Sequence, residues 1–203
     1  MAMLEYTLEQ EWIDKGYPLV CGVDEAGRGP LCGSVVAAAV ILPQGLYLDG
    51  LDDSKKLSAK KREKLYDDIC ASAVAYAIAE GTVEEINQTN ILEATLSAMR
   101  KAITALSVQP SIALIDGNIS RDFPLPAQAV IHGDAISPSI AAASILAKVT
   151  RDRQCIELDR QYPQYGIIRH KGYGTKEHME ALRKYGPAPI HRTKFIRFLE
   201  DPS

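Results

Sequence analysis

Four carboxylates stand where the chain changes direction. Asp24 and Glu25 close the apolar run that starts at Leu19, Asp116 closes Ser111–Ile115 ahead of Gly117, and Asp134 follows Gly133 just before Ser137. Each alone is an ordinary turn or cap residue. Together they mark a candidate site, because ligands of open α/β sheets gather at the carboxyl ends of strands. Like charges a few ångströms apart raise one another's pKa unless a cation neutralises them. No histidine or cysteine completes the set, so the donors are all oxygen, which suits Mg²⁺ or Mn²⁺ and argues against zinc. Four such groups suit two ions about 4 Å apart, the geometry that activates water and stabilises the leaving oxygen in phosphodiester cleavage.

Beside the first acids runs Gly22-Val-Asp-Glu-Ala-Gly-Arg-Gly29. It is not a P-loop, since no Lys-Ser/Thr follows its last glycine, and not a dinucleotide fingerprint, since a strand rather than a helix comes next. Tight turns at Gly27 and Gly29, with Arg28 between, let backbone N–H groups approach a sugar hydroxyl or a phosphate. Further candidates for contact with a polyanion are Lys55 and Lys56 in a loop, Lys148, His170 and Lys171; Tyr173, between Gly172 and Gly174, offers a flat face for a sugar. Ser144, Lys148 and Asp152 recur every four residues and share one helix face, where Lys148 either reaches phosphate or pairs with Asp152. His178 and His191 read as structural.

These residues need elements to hold them. Residues 19–24 and 34–42 read as strands joined by a turn over Glu25–Pro30; Asp24 and Glu25 can then share one site only if the first strand breaks there. Ser58 caps a helix through Leu65 and Ile69, and residues 73–79 fit either its continuation or a third strand. Thr82 with Glu85 forms a capping box, and Asn90 starts a longer helix with an apolar stripe from Leu92 to Leu106. Ser111–Asp116 and Gln128–His132 are strands. Ser137-Pro138 opens a long helix to about Gln161, and Thr175 caps a last one over Lys176–Tyr185. A soft boundary near Pro163 separates a body, residues 1–162, from a basic helical extension, residues 163–203, that packs on it as one functional unit.

Composition sets the outer limits. The 203 residues carry 23 basic against 26 acidic side chains, net −3, with 46% hydrophobic residues. That is a globular composition, not a disordered or fibrous one. The longest apolar run, Val35–Leu42, is eight residues, against about 20 for a membrane span. Nothing in the first ten residues resembles a signal peptide, so the expectation is a cytoplasmic monomer that meets no membrane. The charge is uneven: residues 1–150 hold 12 basic and 19 acidic groups, residues 151–203 hold 11 and 7. An acidic front and a basic tail suit metal at one place and polyanion at another, although from charge alone an exposed helical tail of solvated lysines is the commoner case. The four cysteines show no zinc spacing and are expected reduced; Cys21 and Cys32 are near enough to face each other across a hairpin.

Taken together, these motifs resemble the type 2 ribonucleases H, ribonuclease HII, in their bacterial form. The matching stretches are Gly22–Pro30, Asp53-Ser-Lys-Lys-Leu-Ser58, Leu114-Ile-Asp-Gly117, Gly133-Asp134, Ser144–Asp152 and Tyr165-Gly166 leading to His170-Lys-Gly-Tyr-Gly-Thr175. The resemblance implies a ribonuclease H-like α/β fold, a mixed five-stranded sheet flanked by helices with a helical C-terminal extension. It implies Asp24, Glu25, Asp116 and Asp134 as catalytic acids holding two Mn²⁺ or Mg²⁺ ions. It implies Gly27, Arg28 and Gly29 as readers of a ribonucleotide 2′-hydroxyl, and Tyr173 as the ring that packs on the neighbouring deoxyribose. The implied activity is endonucleolytic: cleavage of the RNA strand of RNA–DNA hybrids, and cleavage 5′ of ribonucleotides embedded in DNA duplexes, leaving 3′-hydroxyl and 5′-phosphate. Its use would be removal of misincorporated ribonucleotides and RNA primers. The rivals are another nuclease of the same fold, disfavoured by the Gly27-Arg28-Gly29 turn and Tyr173, and a non-catalytic nucleic-acid binder, disfavoured by four acids that would repel phosphate.

Overall fold

The computed structural model describes residues 4–52, 54 and 57–199. In chain order the elements are α1 (Thr7–Asp14), β1 (Val20–Ala26), β2 (Val35–Ile41), α2 (Ala59–Ser72), β3 (Ala75–Gly81), α3 (Val83–Gln88), α4 (Ile91–Thr104), β4 (Ile112–Asp116), β5 (Ala127–Val130), α5 (Pro138–Gln161), α6 (Ile167–His170) and α7 (Lys176–Tyr185). Five strands form one mixed sheet in the order β3-β2-β1-β4-β5. β1, β2 and β3 pair antiparallel, while β4 runs parallel to β1 and β5 parallel to β4.

The helix starts follow local chemistry. The side chains of Ser58, Thr82, Asn90, Ser137 and Thr175 each accept from a backbone N–H three residues on, and Glu85 closes the capping box by accepting from the Thr82 N–H at 2.8 Å. Residues 75–81 are a strand, not a continued helix, because the whole run pairs with β2 from Ala75↔Ile41 to Gly81↔Val35.

The sheet separates two apolar layers. Alternate residues of β1 and β2, Cys21 and Val23 with Ala37, Ala39 and Ile41, pack under the α4 stripe Leu96, Met99 and Ile103. On the other face Val36, Ala38 and Val40 meet Leu65 and Ile69 of α2 and Ile145 and Leu146 of α5. α5 is buried all round from Pro138 to Ala147. It lies so close to β1 that a Cβ on Gly22 would fall 2.1 Å from the Ser139 carbonyl carbon. A third cluster joins Cys32 and Cys155 to Tyr165, Ile167, Leu182 and Ile196 of the C-terminal segment.

Two expectations are corrected here. β1 does not break at Asp24: it pairs with β2 through Ala26↔Val36, while its pairing with β4 ends at Val23↔Ile115. Past Val23 the β4-side edge is therefore open, and that edge lets neighbouring residues of one strand serve one pocket. Cys21 and Cys32 do not face each other, since Cys21 belongs to the layer under α4 and Cys32 to the C-terminal cluster; both are free thiols. The α1 helix has no clear sequence signal. It is docked by its buried Glu9, whose carboxylate accepts from the Ser137 hydroxyl at 2.6 Å and the Ser139 N–H at 3.1 Å at the start of α5.

Candidate active site

The open end of β1 faces a cavity of about 350 Å³. Asp24, Glu25 and Asp116 line it together with Gly27-Arg28-Gly29, Lys148, Lys171 and Tyr173. Residues that the chain scatters over 150 positions thus share one hollow.

Asp24 is buried, yet two donors hold it: Oδ1 accepts the Glu25 N–H at 2.7 Å, and the Ser144 hydroxyl donates to the carboxylate. Ser144 is itself bonded to Ser54 at 3.0 Å. Burial, then the charges of Glu25 and Asp116, push the Asp24 carboxyl well above the usual carboxylate range. Asp116 Oδ1 accepts the Gly133 N–H at 2.8 Å, tying the end of β4 to the 3₁₀ turn Gly133–Ala135 that carries the buried Asp134. A crowd of oxygen donors whose ionised form is penalised by mutual repulsion is the environment a hard divalent cation relieves, so the donor set fits Mg²⁺ or Mn²⁺.

Arg28 Nη1 lies 3.4 Å from Glu25 Oε1, half exposed over the acids. Lys148 pairs with Asp152 at 2.5 Å, one of the two sequence alternatives, and also lines the cavity. Asp152 additionally meets Arg62 at 3.5 Å. Tyr173 is 51% exposed, and its ring edge leans over Gly29. Lys55 and Lys56 lie outside the described residues.

His170 is not where a phosphate contact requires. It is buried, its Nε2 hydrogen-bonds the Tyr165 carbonyl at 2.9 Å, and its Nδ1 accepts the Gly172 N–H at 3.2 Å. Its ring stacks on His178 at 4.5 Å. His178 Nδ1 in turn bonds the Tyr173 carbonyl at 3.0 Å, and its Nε2 meets His191 Nε2 at 3.2 Å. The histidines thus shape the backbone that presents Lys171 and Tyr173. Cys32 Sγ and the rings of His178 and His191 lie within 4.8 Å of one another. Burial pushes both imidazoles down, His191 to about 4, and the thiol up to about 11. A neutral pair already bonded to each other, with the guanidinium charges of Arg151 and Arg192 acting on the thiol, is a packed polar core rather than a cation site.

Sequence reading also missed the supports beneath the glycine loop. Arg151 and Arg192 are buried and point at its carbonyls. Their signal was absent because both sit among ordinary basic residues of helical or loop segments.

Comparison with known proteins points one way. The family model described as Ribonuclease HII matches residues 21–198. A curated ribonuclease HII of Burkholderia mallei (strain SAVP1) is 57% identical over 177 residues, covering 87% of this chain and 83% of the relative. The crystal structure of ribonuclease H2 from Pyrococcus horikoshii OT3 superposes with a TM-score of 0.73 at 28% identity, covering 90% of this chain and 97% of the other. The ribonuclease HII in a PCNA complex from Archaeoglobus fulgidus gives 0.73 at 26% identity, over 91% and 98%.

Proposed function

The chain belongs to the ribonuclease HII family, a divalent-metal-dependent endoribonuclease acting on RNA–DNA hybrids, and we propose how its cavity carries out that activity. The ribonuclease H-like sheet and its helices are the expected ones. Among the described residues no helix is long and apolar enough to cross a membrane.

In this reading Asp24, Glu25, Asp116 and Asp134 hold two ions, Mg²⁺ or Mn²⁺, which when bound activate water and stabilise the leaving oxygen of the phosphodiester. Ser144 and the Glu25 N–H keep the Asp24 carboxylate turned to the cavity. The Gly27-Arg28-Gly29 turn reads the 2′-hydroxyl, the group that separates RNA from DNA. Tyr173 seats the next deoxyribose, and Lys148 and Lys171 steady phosphates by charge. Cleavage falls 5′ of the ribonucleotide, in hybrids and at ribonucleotides embedded in DNA, leaving 3′-hydroxyl and 5′-phosphate ends, as excision of misincorporated ribonucleotides and primers needs.

The observation that carries this is the shared cavity: three acids, the glycine turn and an exposed tyrosine on one hollow. Residues 1–162 and 163–203 act as one unit, because the turn of the first part is held by Gly172, Ile190 and Arg192 of the second. The test is a DNA duplex with a single ribonucleotide, incubated with Mg²⁺ or Mn²⁺ and with neither. A single metal-dependent cut 5′ of the ribonucleotide supports the assignment; cutting of an all-DNA duplex, or at RNA ends only, overturns it.

A further inference from the structure

We infer that Arg192 is the positioning residue of the ribonucleotide-sensing loop: one buried guanidinium, delivered from the far end of the chain, collects the loop's carbonyls on its inner side and so turns the amides and the Arg28 side chain toward the cavity. It rests on the loop being the ribonucleotide sensor proposed above.

The bonds are specific. Arg192 Nη2 donates to Gly27 O at 2.6 Å, Nη1 to Arg28 O and Pro30 O at 2.8 Å each, and Nε to Gly33 O at 2.9 Å. Its backbone N–H donates to Leu31 O at 2.8 Å. A second buried guanidinium, Arg151, takes the Cys32 carbonyl at 2.9 Å. From Gly27 to Gly33 only the Gly29 carbonyl is bonded by neither arginine. The Leu31 and Gly33 amides go to the carbonyls of Gly172 and Ile190 at 2.8 Å, whereas the amides of Arg28 and Gly29 donate to no described residue. Those two flank the turn next to Glu25 and under Tyr173.

The energetics favour a purpose beyond stability. Arg192 is fully buried and has no carboxylate partner among the described residues. Desolvating a guanidinium is costly even when its donors are satisfied. The Gly27 and Arg28 carbonyls belong to the exposed part of the loop, where water would satisfy them at little cost, so extending a buried charge to them makes sense where the shape of the loop itself matters. Burial and the Arg151 charge lower the Arg192 pKa only to about 10, so it stays a full cation at neutral pH. Gly27, at φ +94°, sits directly on the Arg151 side chain, where a Cβ would come within 2.8 Å of Nε; the loop is pressed onto both guanidiniums. Lysine cannot replace this grip, because a compact ammonium offers three tetrahedral donors where the planar fork reaches several carbonyls at once.

The test compares Arg192→Lys and Arg192→Gln with Arg28→Ala, each assayed well below its own Tm. Three quantities are read: Mn²⁺ binding, the cleavage rate at a single ribonucleotide, and the ratio of affinities for single-ribonucleotide and all-DNA duplexes with Ca²⁺ in place of the catalytic ion. The Arg192 variants are expected to bind Mn²⁺ and keep the salt dependence of duplex binding. They should lose cleavage about 100-fold, the scale of a ~1 Å misplacement, and lose the affinity ratio. A residue that only stabilises the fold would leave that ratio unchanged in the folded fraction. If the Arg192 variants keep the ratio while Arg28→Ala loses it, the loop is the sensor and the positioning role is wrong. If all three keep it, the sensor assignment itself has failed. If neither Arg192 variant reaches the wild-type circular dichroism spectrum, the residue is required for folding and the positioning role is overturned.

Discussion

The ring of Tyr173 lies over Gly29 so closely that a Cβ on the glycine would come within 3.1 Å of Cε1. The contact joins the two halves of the proposed ribonucleotide sensor, a turn after β1 and a loop before α7, and it leaves the outer face of the ring exposed.

Tyr173→Ala should therefore leave phosphate-driven duplex binding and its salt slope nearly intact, since no charge is removed. It should cut cleavage at an isolated ribonucleotide by about 100-fold, because the sugar loses its seat. Gly29→Val, which pushes the ring aside, should produce the same pattern. Wild-type rates for Tyr173→Ala would make the ring a packing residue.

Asp24→Asn should abolish cleavage, by more than the ~100-fold that an outer-shell partner costs, while raising the metal-free Tm at pH 8. The sign follows from the raised Asp24 pKa. The ionised carboxylate is less favourable in the fold than in the unfolded chain, so removing it stabilises above its folded pKa. The gain should shrink as pH falls toward about 4, where the unfolded carboxyl protonates too. Added Mn²⁺ should raise the wild-type Tm more than that of the variant. Thermal scans across pH, with and without Mn²⁺, check all three statements.

The His178–His191 pair predicts an acid limb. His191 is neutral in the fold down to about pH 4, whereas in the unfolded chain it takes up a proton near 6.5. Stability contributed by the neutral form is therefore complete above about pH 6.5 and falls between there and about 4, by roughly 3 kcal/mol. His191→Gln should start less stable at pH 7 yet decline less steeply toward pH 4 in urea titrations. Parallel slopes for the two proteins would place the acid sensitivity elsewhere.

Gly22→Ala should destabilise by about 3 kcal/mol or more, because the added methyl meets the backbone of Ser139 and Ile140 rather than a side chain that can move aside. It should also reduce activity by shifting β1, which carries Asp24, against α5, which carries Ser144. A Tm within a few degrees of wild type would show that α5 slides without cost.

The sequence alone determined what rests on short-range chemistry. The caps at Ser58, Thr82, Asn90, Ser137 and Thr175 are hydrogen bonds spanning three residues, so a local pattern suffices to locate them. That Asp24, Glu25 and Asp116 would meet at one cavity was legible because carboxylates at the ends of apolar runs have few structural uses in common. Tertiary structure decided the rest. Residues 75–81 became a strand because β2 offered a complete edge, a fact stored in another part of the chain. Asp24 and Glu25 share a cavity without a strand break because the pairing of β1 with β4 ends at Val23, one residue before them. His170 reads like its basic neighbour Lys171, yet packing turns it inward against Tyr165 and His178. Arg192 meets Gly27 across 165 positions. Nothing in the spacing of either residue encodes that bond, which exists only because the C-terminal segment folds back and buries a charge where the loop's carbonyls converge.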